Sequence, residues 1–171
     1  MEPALRRAGA ADVPALAALY AETARTLGAW CYTPAQVAAW AGFGADTPAF
    51  RAYVLEPETW VALDAAGRPL GFSGIDDAGE VRSLYVRHDA VRGGIGTRLL
   101  GHGLARAAER GITRFAAWAT PFSLPVFERG GFVLAERVEA DFQGVRFERL
   151  RVTAAAAALR ARRQARDGNR A

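Results

Sequence analysis

The chain has 171 residues, 51% hydrophobic and 23% charged, which suits one hydrophobic core and is too apolar for a disordered segment. No run approaches the ~20 unbroken apolar residues of a membrane span, MEPALRRAGAAD carries no secretory apolar segment, and a single cysteine, Cys31, excludes an internal disulfide. A cytoplasmic domain without a membrane partner is therefore expected, although the net charge of +4 taken alone suggests nucleic acid.

ALRRA at 4–8 reads as a short strand. Asp12 then stands as N-cap for a helix reaching about Leu27, with Leu16, Leu19, Tyr20 and Leu27 on one side. Thr33-Pro34 and Thr47-Pro48 each put a capping hydroxyl before a proline in a first helical turn, so two short helices start there. Three strands follow at 59–64, 69–76 and 80–86, separated by hairpin-length turns. Residues 94–110 form an amphipathic helix with Ile95, Leu99, Leu100 and Leu104 in its stripe and Gly111 at its end. A strand at 113–119, a short helix at 124–131 and strands at 132–138 and 145–152 complete the pattern. That order predicts one α/β domain over 1–152, a mixed sheet with helices on both faces. Residues 153–171 read as an alanine- and arginine-rich tail, with Thr153 as a helix cap. Phe115, Trp118, Phe122, Phe127 and Phe132 read as core.

The charge is local. All 22 basic residues are arginine, and residues 151–171 hold six of them against one aspartate, which leaves the body at 1–150 nearly neutral. This argues against a nucleic-acid surface on the folded part. His88 and His102 lack the company that a metal site needs, so no metal is expected. Cys31 has no neighbouring base in the sequence to make it a nucleophile.

The chemistry-bearing segment is EVRSLYVRHDAVRGGIGTRLLGHGL, a strand that runs through a glycine-rich turn into a helix. Backbone N–H groups and the positive end of the helix dipole converge there, and together they favour an anion. Side chains at Gly93, Gly94 or Gly96 would hold a pyrophosphate away from the backbone, and glycine leaves positive φ open at each. It is not a Walker loop, because Thr97-Arg98 follows Gly96 where Lys-Ser or Lys-Thr is needed. Nor is it a Rossmann loop, because Leu99 stands where the third glycine belongs.

In this setting VRGGIG (91–96) resembles the signature Gln/Arg-x-x-Gly-x-Gly/Ala of the GNAT superfamily of N-acetyltransferases. The upstream LYV, the downstream helix and ATPFSLPVFERGGF also fall in that family's order, and the likeness spans residues 4–152. It implies a mixed, mostly antiparallel sheet of about seven strands flanked by helices, with acetyl-CoA as cosubstrate. Leu84, Tyr85, Val86, Val91, Arg92, Gly93, Gly94, Ile95, Gly96, Thr97, Thr120 and Phe127 would line its site. Two departures stand out. Val91 replaces the signature's Gln or Arg, with Arg92 and Arg98 near enough to compensate, and Phe127 replaces the tyrosine that serves the family as general acid. A subgroup with phenylalanine there also carries a Tyr-Thr-Pro-x-Gln segment like that of Tyr32 to Gln36.

The resemblance further implies direct attack of a primary amine, of a small molecule or a peptide, on the thioester in a ternary complex. Glu80, eleven residues before Val91, stands where some members keep a general base. The Leu84 backbone N–H stands where the family places its oxyanion donor, a contact worth ~3 kcal/mol of barrier. Strand alternation puts Tyr85 on the face opposite Glu80 and Leu84. Trp30, Tyr32 and Trp40 fall in the region that lines the acceptor pocket, where an aromatic wall holds an amine by cation–π contact or simply packs the helices. A monomer or homodimer is expected. The missing tyrosine leaves a second reading open: an acyl-CoA binding or sensing domain without turnover.

Overall fold

The computed structural model describes residues 3–159. Strands and helices alternate as β1 (Ala4–Arg7), α1 (Val13–Gly28), α2 (Pro34–Gly42), α3 (Pro48–Leu55), β2 (Glu58–Leu63), β3 (Pro69–Ile75), β4 (Glu80–Val86), α4 (Ile95–Glu109), β5 (Arg114–Ala119), α5 (Leu124–Gly130), β6 (Val133–Phe142) and β7 (Val145–Ala155).

Local chemistry explains most of the boundaries. Thr33 Oγ1 accepts the Gln36 N–H at 3.3 Å while Gln36 Oε1 accepts the Thr33 N–H at 2.9 Å, a reciprocal box that starts α2. Thr47 Oγ1 accepts the Phe50 N–H at 3.2 Å and starts α3. Asp12 behaves differently from the sequence expectation. Its carboxylate turns back to the Gly9 N–H at 2.8 Å and to Arg6 at 2.7 Å, fixing a 3-10 turn before α1 instead of capping α1 itself.

The sheet has the order β1-β2-β3-β4-β5-β7-β6. Every neighbouring pair is antiparallel except β4 and β5. On one face α1 and α3 bury Val13, Leu16, Tyr20, Phe50 and Val54 against Val61 and Phe72. On the other, Leu100 and Leu104 of α4 and Phe127 of α5 pack on Ile75, Phe115 and Leu150. Each such side chain contributes ~1.5–3 kcal/mol of burial, so the two layers hold the sheet from both sides.

Two boundaries depart from the sequence expectation. β6 runs to Phe142, and β7 continues through Thr153 to Ala155 with Ala156 buried beyond it. Thr153 is thus paired with Ala116 and Val133 inside the sheet and caps no helix. Residues 160–171, the rest of the expected tail, lie outside the described residues. Among the described residues no helix is long and apolar enough to cross a membrane.

Candidate active site

The parallel pair β4–β5 is joined only at its start, Glu80 with Ala116 and Val81 with Ala117, after which the strands part. A gap in a sheet leaves backbone groups without ladder partners, and its direction can be read from their bonds. The Arg87 N–H donates to Leu70 O at 2.8 Å, on the β3 side. Val86 O accepts Thr23 Oγ1 at 3.2 Å, on the other side. By strand alternation the Leu84 amide points with Val86, away from β3 and into the gap.

β4 also carries a bulge. Gly74 pairs with Ser83 but Ile75 pairs with Val81, so Arg82 is an extra residue in β4. Its carbonyl accepts the Tyr53 hydroxyl at 2.7 Å. The bulge inverts the alternation along the strand. Val81 and Leu84 both face α4, whereas Tyr85 packs with Tyr20 and Phe72 and lines a cavity together with Glu80. The expected placement of Tyr85 opposite Glu80 is therefore corrected.

Two cavities open on the gap. The larger, about 760 Å³, is a groove that passes Thr23 and Leu27, the β4 segment Leu84–Val86, the turn into α4 and the start of α5. Val91, Arg92, Gly94, Ile95, Gly96, Thr97, Thr120 and Phe127 line it, and Gly93 does not. Gly94 is the N-cap of α4 at φ 78°, in the left-handed region that glycine tolerates. A β carbon added there meets nothing within 4 Å, so it would project into open space. Arg92 adopts φ 65° without that freedom, a conformation that costs ~1 kcal/mol or more and turns the chain sharply into the helix. At Gly96 an added carbon would sit 3.4 Å from Val86 and 3.7 Å from Val126, which is ordinary contact. The α4 N-terminus thus borders the groove, and a helix start of this kind favours an anion.

The smaller cavity, about 470 Å³, lies on the α1–α3 side over β4, β5 and β7. Aromatic rings wall it, among them Tyr32, Trp40, Phe43, Trp118, Phe142 and Phe147. Tyr32 packs edge-on against Trp40 at 5.7 Å and Phe147 at 5.3 Å. Gln36 holds this roof down: the side chain that caps α2 also donates through Nε2 to Arg146 O of β7 at 2.8 Å. Glu80 stands at the floor, its Oε1 taken by Arg151 Nη1 at 2.7 Å. Trp40, Val81, Arg82, Tyr85, Trp118 and Thr120 line both cavities and mark where they join.

The sequence reading expects Tyr32 and Trp40 at the acceptor side, and both line the smaller cavity. Trp30 does not: it is 78% exposed and lies along the groove. Of the rings read as core, Phe115, Phe127 and Phe132 are buried, whereas Trp118 forms cavity wall and Phe122 is 42% exposed on the groove. The sequence reading missed Arg149, Arg151 and Phe147. Their only signal was the alternation of VRFERLRV, which gives no hint of what faces it across the sheet.

Phe127 is 3% exposed and packs edge-on with Phe132 at 5.2 Å. It offers no proton to the groove. Tyr85 accepts the Trp40 Nε1–H at 3.2 Å. Burial pushes its phenol up, opposed by hydrogen bonding with Tyr20, Trp40 and Tyr53. Burial likewise raises Tyr20 and Tyr53 well above the ordinary phenol range, so all three are protonated at neutral pH. Cys31 is exposed, and desolvation shifts its thiol upward, the reverse of an activated nucleophile. Among the described residues no three His, Cys, Asp or Glu side chains gather to hold a metal ion.

The chain is similar to known proteins in sequence and in fold. The family description "Acetyltransferase (GNAT) domain" matches residues 30–154. An L-methionine sulfoximine/L-methionine sulfone acetyltransferase of Pseudomonas aeruginosa is 35% identical over 124 residues, 66% of this chain and 67% of that protein. A GCN5-related N-acetyltransferase from Rhodopseudomonas palustris superposes with a TM-score of 0.85 at 26% identity, over 91% of this chain and 96% of that one. PaiA N-acetyltransferase from Thermoplasma acidophilum, solved in complex with coenzyme A, shares the fold at a TM-score of 0.74 and 16% identity, over 91% and 99% of the two chains. From the family match across the parted strands, the glycine turn and both cavities, the chain belongs to the GNAT family of N-acetyltransferases.

Proposed function

We propose that this protein transfers the acetyl group of acetyl-CoA to the primary amine of a small molecule, with both held at once in the two joined cavities. The observation that carries this reading is the meeting of groove and cavity at the β4–β5 gap, with Glu80 on one side and the α4 N-terminus on the other.

The residues present fit coenzyme A. Gly94 leaves open the space that a β carbon would fill, and the amides of Ile95, Gly96 and Thr97 with Arg92 suit a pyrophosphate. Backbone groups of Leu84 and Val86 along the gap suit an amide-bearing arm. Tyr85, Val91, Thr120 and Phe127 complete the wall, and Gly93 stands back from it. Acetyl-CoA, when bound, supplies an activated acetyl thioester.

The chain's own groups then have three tasks. Glu80 takes a proton from the acceptor ammonium, directly or through a water, with Arg151 fixing the carboxylate. The Leu84 N–H, turned into the gap, stabilises negative charge on the acyl oxygen. Phe127 has no proton to give the departing sulfur, and a thiol of ordinary pKa ~8.5 leaves tolerably without one.

The aromatic walls and a volume of about 470 Å³ suit a small acceptor better than a protein surface. The Pseudomonas relative, named for two methionine derivatives, supports acceptors of that size. Acetyl-CoA with a panel of amines, followed by thiol release, tests the reading: turnover that collapses in Glu80→Gln while acetyl-CoA still binds supports it. Phe127, buried and without a proton, favours the second reading of a quiet acyl-CoA sensor. Tight binding with no turnover across the panel would establish that one instead.

A further inference from the structure

Four charged residues line the acceptor cavity: Glu80, Arg82, Glu148 and Arg149. Three are neutralised by neighbours. Glu80 pairs with Arg151 at 2.7 Å, Glu148 with Arg137 at 2.8 Å and Arg82 with Asp76 at 3.5 Å. Arg149 has no ion pair among the described residues, and its guanidinium lies 4.6 Å from the centre of the Trp118 ring. Its charge reaches the cavity interior, where it opposes the rise that burial imposes on the phenols of Tyr32, Tyr53 and Tyr85. A half-buried cation facing an aromatic cavity calls for an anion on whatever enters.

The spacing fixes where that anion sits. Arg149 and Arg151 are two residues apart on β7, both over Trp118, at 4.6 and 4.9 Å. Their Cα atoms are therefore roughly 7 Å apart at the usual strand rise. Arg151 marks the position of Glu80, so an ammonium at Glu80 and an anion at Arg149 are separated by a short span. One or a few carbons bridge it with a hydrogen bond of about 2.8 Å at each end. The remaining space is bounded largely by the rings of Tyr32, Phe43, Phe142 and Phe147, which favours a ring or a bulky apolar group.

We propose that the acceptor is an amino acid with an aromatic or bulky apolar side chain, its carboxylate held by Arg149 and its amine presented to Glu80. The proposal rests on the acetyl-transfer reading and narrows it. Arg149 acts here as a specificity residue for the anion.

Purified protein with acetyl-CoA is assayed for thiol release with L-phenylalanine, 2-phenylethylamine and glycine. L-phenylalanine should exceed both others in kcat/KM by about tenfold or more, since 2-phenylethylamine lacks the carboxylate and glycine lacks the apolar side chain. Arg149→Gln should raise KM for L-phenylalanine about tenfold, Arg149→Lys less, with KM for 2-phenylethylamine changed by less than about twofold. An unchanged Kd for acetyl-CoA in both variants shows that they are folded. Turnover of 2-phenylethylamine equal to that of L-phenylalanine, insensitive to Arg149→Gln, overturns the carboxylate anchor and leaves acetyl transfer standing. Equal turnover of glycine overturns the apolar requirement. Acetyl-CoA binding with no turnover of any of the three overturns this inference, and only the same result across the wider amine panel removes the acetyl-transfer reading as well.

Discussion

Arg151 Nη1 lies 2.7 Å from Glu80 Oε1, a contact between β7 and the first residue of β4 that spans 71 positions of sequence. Both side chains are about three-quarters buried, so the pair sits at the cavity floor and not on an outer surface.

Glu80→Gln keeps the shape of the side chain and removes its basicity. If the carboxylate takes the ammonium proton, kcat falls on the order of 100-fold while the Kd for acetyl-CoA is unchanged. Steady-state thiol release beside calorimetric binding checks this, and a kcat within about threefold of the parent would assign Glu80 a purely structural role.

Gly94 and Gly96 should respond differently. Gly94→Val forces a branched residue into φ 78° and sends its side chain into the groove. A loss of ~1–2 kcal/mol in stability and at least a tenfold weaker Kd for acetyl-CoA, roughly, are expected. Gly96→Ala makes only ordinary contacts with Val86 and Val126, so its binding isotherm should nearly overlay the parent's.

Phe127→Tyr places a hydroxyl at a position that is 3% exposed and packed on Phe132. Thermal unfolding should drop by a few degrees, for a cost of ~1–3 kcal/mol if the hydroxyl finds no partner. Because the thiolate already leaves tolerably, kcat should change by less than about threefold. A tenfold gain would show that sulfur protonation limits the parent.

Alkaline pH should destabilise the fold through the Tyr20, Tyr53 and Tyr85 cluster. All three phenols are raised, chiefly by burial, so the native state keeps protons that the unfolded chain loses above about pH 10. Stability is therefore complete below that pH and declines as pH climbs further. Denaturation midpoints between pH 8 and 11, roughly, test the sign, and Tyr85→Phe should flatten the decline.

The legible parts of this protein are those set by near neighbours. Thr33-Pro34-Ala35-Gln36 specifies a capped helix start within four residues, and the structure shows that cap. The glycine turn before Ile95 announces the strand-to-helix junction, where the structure places Gly94 as the left-handed N-cap of α4. Alternation along β4 was misleading because a bulge at Arg82 depends on how β3 pairs across from it, and no residue in the strand declares that. Trp30 was misplaced for a related reason: lying near Tyr32 in sequence does not decide which cavity a ring reaches.

The sequence by itself determined the order of elements, the glycine turn that opens α4 and the absence of a phenol at position 127, since each depends on residues within a turn or two of one another. Only the tertiary structure decided where β4 and β5 part, which face Tyr85 shares with Glu80, and that Arg149 of the last strand lines the smaller cavity while Arg151 pairs with Glu80. Those relationships join segments tens of residues apart, and they are fixed by strand pairing and burial, which sum over the whole core and leave no local mark in the chain.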